Sequence, residues 1–67
     1  MMTLTWNDTQ DVAIVLADTY PDTDPLTLGF EKMHAMICAL PDFKDDPQAS
    51  NEKILEAILK AWLEERE

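Results

Sequence analysis

His34 and Cys38 stand four residues apart and are the chain's single histidine and single cysteine. On a helix that spacing puts both on one side, one turn from each other. A Cys–His pair does nucleophilic chemistry when both groups are exposed and oriented in a pocket. The stretch that carries them, "FEKMHAMICAL", is an apolar-striped helix, and a cysteine on the flank of such a helix is more often a small core residue. A packing role is therefore expected for Cys38, and a helix-surface or boundary position for His34. One thiol is too few for the four-thiolate ligation usual for iron–sulphur clusters, or for structural zinc. One glycine cannot build a glycine-rich phosphate loop. The "DTD" of residues 22–24 lacks the glycine and the closing glutamate of a calcium loop.

Carboxylate is what remains. Asp11 and Asp18 are seven residues apart, on one side of a helix. Asp22 and Asp24 carry that acid into the following turn. Asp18, Asp22 and Asp24 thus bracket one turn, and Asp42, Asp45 and Asp46 share a later loop. Both sets are candidate metal sites. Oxygen-only ligands suit hard cations and bind them weakly, with poor selectivity. From spacing alone, the first reading of these acids is a charged, solvated face.

The elements that position them follow from periodicity and punctuation. "TLTW", residues 3–6, alternates polar and apolar and is compatible with a short extended segment. Asn7 and Asp8 offer caps for a first helix, whose apolar stripe is Val12, Val15, Leu16 and Tyr20. Pro21 ends it at Tyr20. Asp24 followed by Pro25 reads as the cap and first residue of a short helix, which Gly29 breaks. Phe30, Met33, Ile37 and Leu40 mark the next helix, closed by Pro41. "DFKDDPQAS" is a loop with Phe43 its one large apolar residue. Ser50 caps the last helix, and Ile54, Leu55, Ile58, Leu59 and Trp62 form its apolar face. The expected order is helix, short helix, helix, acidic loop, helix. A mainly α single domain over residues 1–67 is expected, and a monomer. Two closely spaced helices before a third, with a loop where a wing would sit, suggest a winged-helix-like core.

Charge narrows the partners. The 67 residues carry 14 acids against 5 bases, a net charge of −9. Such a field repels nucleic acid and anionic membrane and attracts basic surfaces or metal cations. The acids are spread along the chain, which points to a folded acidic surface rather than a tail. A lone cysteine, no basic-then-apolar leader and no long apolar run make a reducing cytoplasm the expected address.

"YPDTDP", "MHAMICAL" and above all "DDPQASNEKILEAIL" resemble the IscX family, small accessory proteins of bacterial iron–sulphur cluster assembly. The resemblance runs from Trp6 almost to the C-terminus. It implies a modified winged-helix fold without a DNA-binding role and without catalysis. It also implies binding to a cysteine desulfurase in competition with frataxin, and weak ferrous iron binding by exposed carboxylates. On that basis Asp11, Asp18, Asp22, Asp24, Asp45 and Asp46 are the candidate partner-binding residues. Asp45 and Asp46 carry special weight, because turn and cap chemistry accounts for Pro47, Ala49 and Ser50 without them. The chain departs from the family pattern at Gly29, where a basic residue is common. It departs again at Glu31 and Lys32, where threonine and an acid are common, and at Met36, where tryptophan is usual.

Two other classes compete with the adaptor reading. A nucleic-acid-binding winged helix needs a basic recognition helix, yet residues 30–40 hold Lys32 as their one formal cation. A small thiol enzyme built on Cys38 and His34 needs a depressed thiol pKa.

Overall fold

A computed structural model describes residues 3–66 of the chain. Three α-helices form: α1 (Thr9–Thr19), α2 (Phe30–Cys38) and α3 (Glu52–Arg66). Single 3-10 turns at Pro25–Thr27 and Pro47–Ala49 precede α2 and α3. The expected order is borne out, as is the mainly α class.

The apolar stripes point inward. Val12, Ala13 and Leu16 of α1, Met33 and Ile37 of α2, and Leu55, Ile58 and Trp62 of α3 are buried in one cluster. The most extensive helix pairing is α1 on α3. Leu4 and Trp6 from the N-terminal segment join this core, as do Leu40 and Phe43. Burying an indole removes roughly 150–250 Å2 from water, on the order of 4–6 kcal/mol. Trp6 is thus a principal core member, although its segment is extended and short.

What fixes that segment is a single parallel bridge, Leu4 to Phe43. The Leu4 amide donates to the Asp42 carbonyl at 2.8 Å, and the Lys44 amide donates to the Leu4 carbonyl at 2.9 Å. The described residues contain no β-strand beyond this bridge. The wing of the expected fold is therefore not a hairpin here. Residues 42–50 are held instead by Asp and Pro turn chemistry, which supplies intramolecular partners without a ladder.

Two caps differ from expectation, and a third carried none. Asp8 stands at the α1 cap position but makes no side-chain cap bond. Its Oδ2 accepts from the Thr5 amide and from Thr5 Oγ1, both at 3.0 Å, closing the turn before the helix. Asn51, rather than Ser50, caps α3: its Oδ1 accepts from the Ile54 amide at 3.0 Å. Gly29 is the cap residue of α2, with extended φ and ψ and no side chain to offer.

Candidate functional site

The Asp–Pro pair occurs twice and does the same work each time. Asp24 Oδ1 accepts from the Leu26 amide, and Asp46 Oδ1 accepts from the Gln48 amide, each at 3.0 Å. In both, proline occupies the first turn position, where its missing N–H costs nothing. The expectation that Asp45 and Asp46 are spare to turn chemistry is therefore corrected. Asp45 Oδ1 accepts from the Asp46 amide at 2.8 Å, and its Oδ2 accepts from the Trp6 amide at 3.1 Å. Asp45 thereby ties the acidic loop to the N-terminal segment.

A second tie runs through rings. Trp6 Nε1 donates to the Asp46 carbonyl at 2.7 Å. His34 Nε2 lies 2.6 Å from the Pro47 carbonyl, and its ring stacks on Trp6 at 5.3 Å between centroids. Phe43 meets the same indole edge-on at 4.7 Å. His34 is half-buried, the boundary position that its helix register implies. The Pro47 carbonyl can only accept, so Nε2 is the donor to it, and Nδ1 is the ring's other nitrogen. Cys38 Sγ lies 3.9 Å from that Nδ1. Burial raises the Cys38 pKa above that of an ordinary thiol. The thiolate a nucleophile requires is thus disfavoured.

The other acids stand differently. Asp11, Asp18, Asp22 and Asp42 are exposed. Asp24 is exposed too, but it also forms an ion pair with Arg66 of α3 at 3.4 Å. At that exposure the pair contributes about 0–1 kcal/mol. Among the described residues no three His, Cys, Asp or Glu side chains gather into a group that could hold a metal ion. Neither candidate set, Asp18/Asp22/Asp24 or Asp42/Asp45/Asp46, closes on itself, because Asp24, Asp45 and Asp46 turn toward backbone amides. The structure instead brings one acid of each set together. Asp18 and Asp42 line one open groove of about 540 Å3 with Ile14, Val15, Ala17 and Glu65.

Ile14 and Glu65 are not among the candidate site residues read from the sequence. Ile14 had a legible signal, since it lies off the Val12–Leu16 stripe and between Asp11 and Asp18 on the acidic side of α1. Glu65 had none, because only packing of α3 on α1 brings it there. Gln10 Nε2 reaches Glu65 Oε1 at 3.4 Å across that contact.

A family model described as iron-sulphur cluster assembly matches residues 4–67. The chain belongs to that family, the IscX proteins of iron–sulphur assembly. It is also 46% identical over 66 residues to an uncharacterized protein of Pseudomonas aeruginosa, covering 98% of this chain and 100% of that one. Membership places the molecule with the assembly machinery. No helix among the described residues is long and apolar enough to cross a membrane.

Proposed function

We propose that the chain is a non-catalytic adaptor of iron–sulphur cluster assembly that docks on a cysteine desulfurase and modulates it. The observation that carries this reading is the exposed acid of α1, Asp11 and Asp18, continued by Asp22 and Asp24 in the turn that follows. A surface of one sign steers a basic partner and sets its register. Asp45 and Asp46 belong to the docking face through the shape they give the loop as well as through charge. Frataxin competes for the same basic ground on the enzyme. The raised pKa of Cys38 supports an adaptor over a thiol enzyme.

Ferrous iron is a loosely held cargo in this reading, taken by exposed carboxylates that keep most of its water. Asp18, Asp22 and Asp42 are the acids best placed to take it, since Asp24, Asp45 and Asp46 already accept backbone hydrogen bonds. Manganese and calcium compete, because oxygen ligands discriminate poorly.

Desulfurase binding is measured against salt and against two charge-matched double variants. Long-range attraction is screened over ~8 Å at physiological ionic strength. Association therefore slows as salt rises. Asp18→Asn/Asp22→Asn weakens binding more than Glu52→Gln/Glu56→Gln on the far stretch of α3. Equal losses would mean that only total charge matters, and salt-independent association would end the electrostatic account.

A further inference from the structure

Ile14 is 43% exposed in the middle of the charged side of α1, with exposed Asp11 one turn before it and exposed Asp18 one turn after. A single exposed aliphatic residue is ordinary. This one forms part of the wall of the groove of about 540 Å3, beside half-buried Val15 and Ala17. Three carboxylates from three separate parts of the chain line the same groove: Asp18 of α1, Asp42 of the loop after α2, and Glu65 of the last turn of α3. A groove lined by aliphatic side chains and carboxylates together has a definite complement.

We propose that this groove seats one aliphatic side chain of a partner protein, presented between lysine or arginine residues. The inference rests on the adaptor reading and deepens it, by stating what the acidic face recognises beyond charge. The aliphatic side chain covers Ile14, Val15 and Ala17. The flanking cations reach Asp18, Asp42 and Glu65, and their methylene stems lie along the apolar walls. A second copy of this chain is disfavoured by the like charge it would bring. Nucleic acid and anionic lipid are disfavoured by the net charge of −9. Burial of the aliphatic group supplies affinity that salt does not screen, and the carboxylates supply orientation and choice.

The probe is a capped lysine-rich heptapeptide with one central leucine, set against the same peptide with serine in place of leucine. Each is titrated into the isotope-labelled full chain while backbone amide resonances are followed. The leucine peptide shifts Ile14, Val15, Ala17 and Asp18, and the serine peptide binds roughly tenfold more weakly, the worth of burying about two methylenes. Ile14→Ser, at an exposed position, erases the preference for leucine and leaves a residual binding that salt removes. Asp18→Asn/Asp42→Asn weakens both peptides. Equal binding of the two peptides, shifts spread over every acidic face, or no binding would each overturn the groove. The same Ile14→Ser chain is then titrated with cysteine desulfurase. Wild type that binds while Ile14→Ser binds equally well sinks the groove and leaves the adaptor standing. Wild type that does not bind sinks the adaptor reading, and the peptide pair alone decides the groove.

Discussion

The rings of Trp6 and His34 stack 5.3 Å apart with 20° between their planes, and each grips the backbone of the acidic loop at the next residue along. Trp6 holds the Asp46 carbonyl and His34 the Pro47 carbonyl. One stacked pair thus joins the N-terminal segment, α2 and the turn before α3.

Loss of either ring contact should loosen that junction. Trp6→Phe keeps most of the apolar burial but removes the donor to Asp46, and is expected to cost on the order of 1–2 kcal/mol. His34→Ala should cost a similar amount. Because the two rings share one loop, the double variant should cost less than the sum. Denaturant titration of the three chains measures this, and strict additivity would show that the rings act independently.

Asp45 and Asp42 lie three residues apart and should behave differently. Asp45→Ala strands the Trp6 and Asp46 amides and should cost about 1–2 kcal/mol. Asp42→Ala keeps the backbone carbonyl that Leu4 uses and should change stability by less than about 0.5 kcal/mol. Thermal melts of the two variants distinguish a structural acid from a surface one.

Trp62 is fully buried, and among the described residues its Nε1 finds no hydrogen-bond partner. Trp62→Ala should destabilise by about 3–5 kcal/mol, through lost burial and a cavity. Trp62→Phe removes no hydrogen bond and should cost clearly less. A Phe variant as unstable as the Ala variant would mean that the indole N–H is paired in solution.

Cys38 should react slowly. Desolvation raises its pKa from the ordinary 9.0. The unfolded thiol therefore ionises first as pH rises. Its contribution to stability is complete below the unfolded pKa and is lost as pH climbs through the higher folded value. Alkylation at pH 7–8 should be slower than for a free thiol, and Cys38→Ala should flatten the stability loss above about pH 9. Rapid alkylation at neutral pH would contradict the burial assigned to the thiol.

Gly29 needs none of glycine's freedom. Its φ is −76°, and a Cβ there would meet nothing within 4 Å. Gly29→Ser adds a cap to α2 and reduces the freedom of the unfolded chain. A gain of a few tenths of a kcal/mol or more is expected, about 1–4 °C in Tm. A lowered Tm would show that serine disturbs the approach of the preceding turn.

Much of the fold was legible because its causes are local. Val12 and Leu16, Met33 and Ile37, and Leu55, Ile58 and Trp62 announce buried helix faces through spacing alone. Asp24–Pro25 announces a capped turn. Asp46–Pro47 carries the same signature, but the surrounding acids draw attention to binding and away from its meaning as a 3-10 start. Asp8 illustrates the limit of capping rules. Its side chain can close the turn behind it or cap the helix ahead, and residue type does not choose between them. The fall between Asn51 and Ser50 is the same kind of ambiguity, one residue wide.

By itself, then, the sequence determined the helices, the acidic character, the scarcity of catalytic groups and the family. Only the tertiary structure decided that Leu4 pairs with Phe43, that Trp6 and His34 clamp the acidic loop, and that Asp18, Asp42 and Glu65 surround one groove. Helix spacing and capping act over a few residues, so a linear pattern records them. The bridge, the stacked rings and the groove join residues far apart in the chain. They exist because the three helices close on one core that also takes in Leu4, Trp6 and Phe43, a free-energy gain that no short pattern encodes.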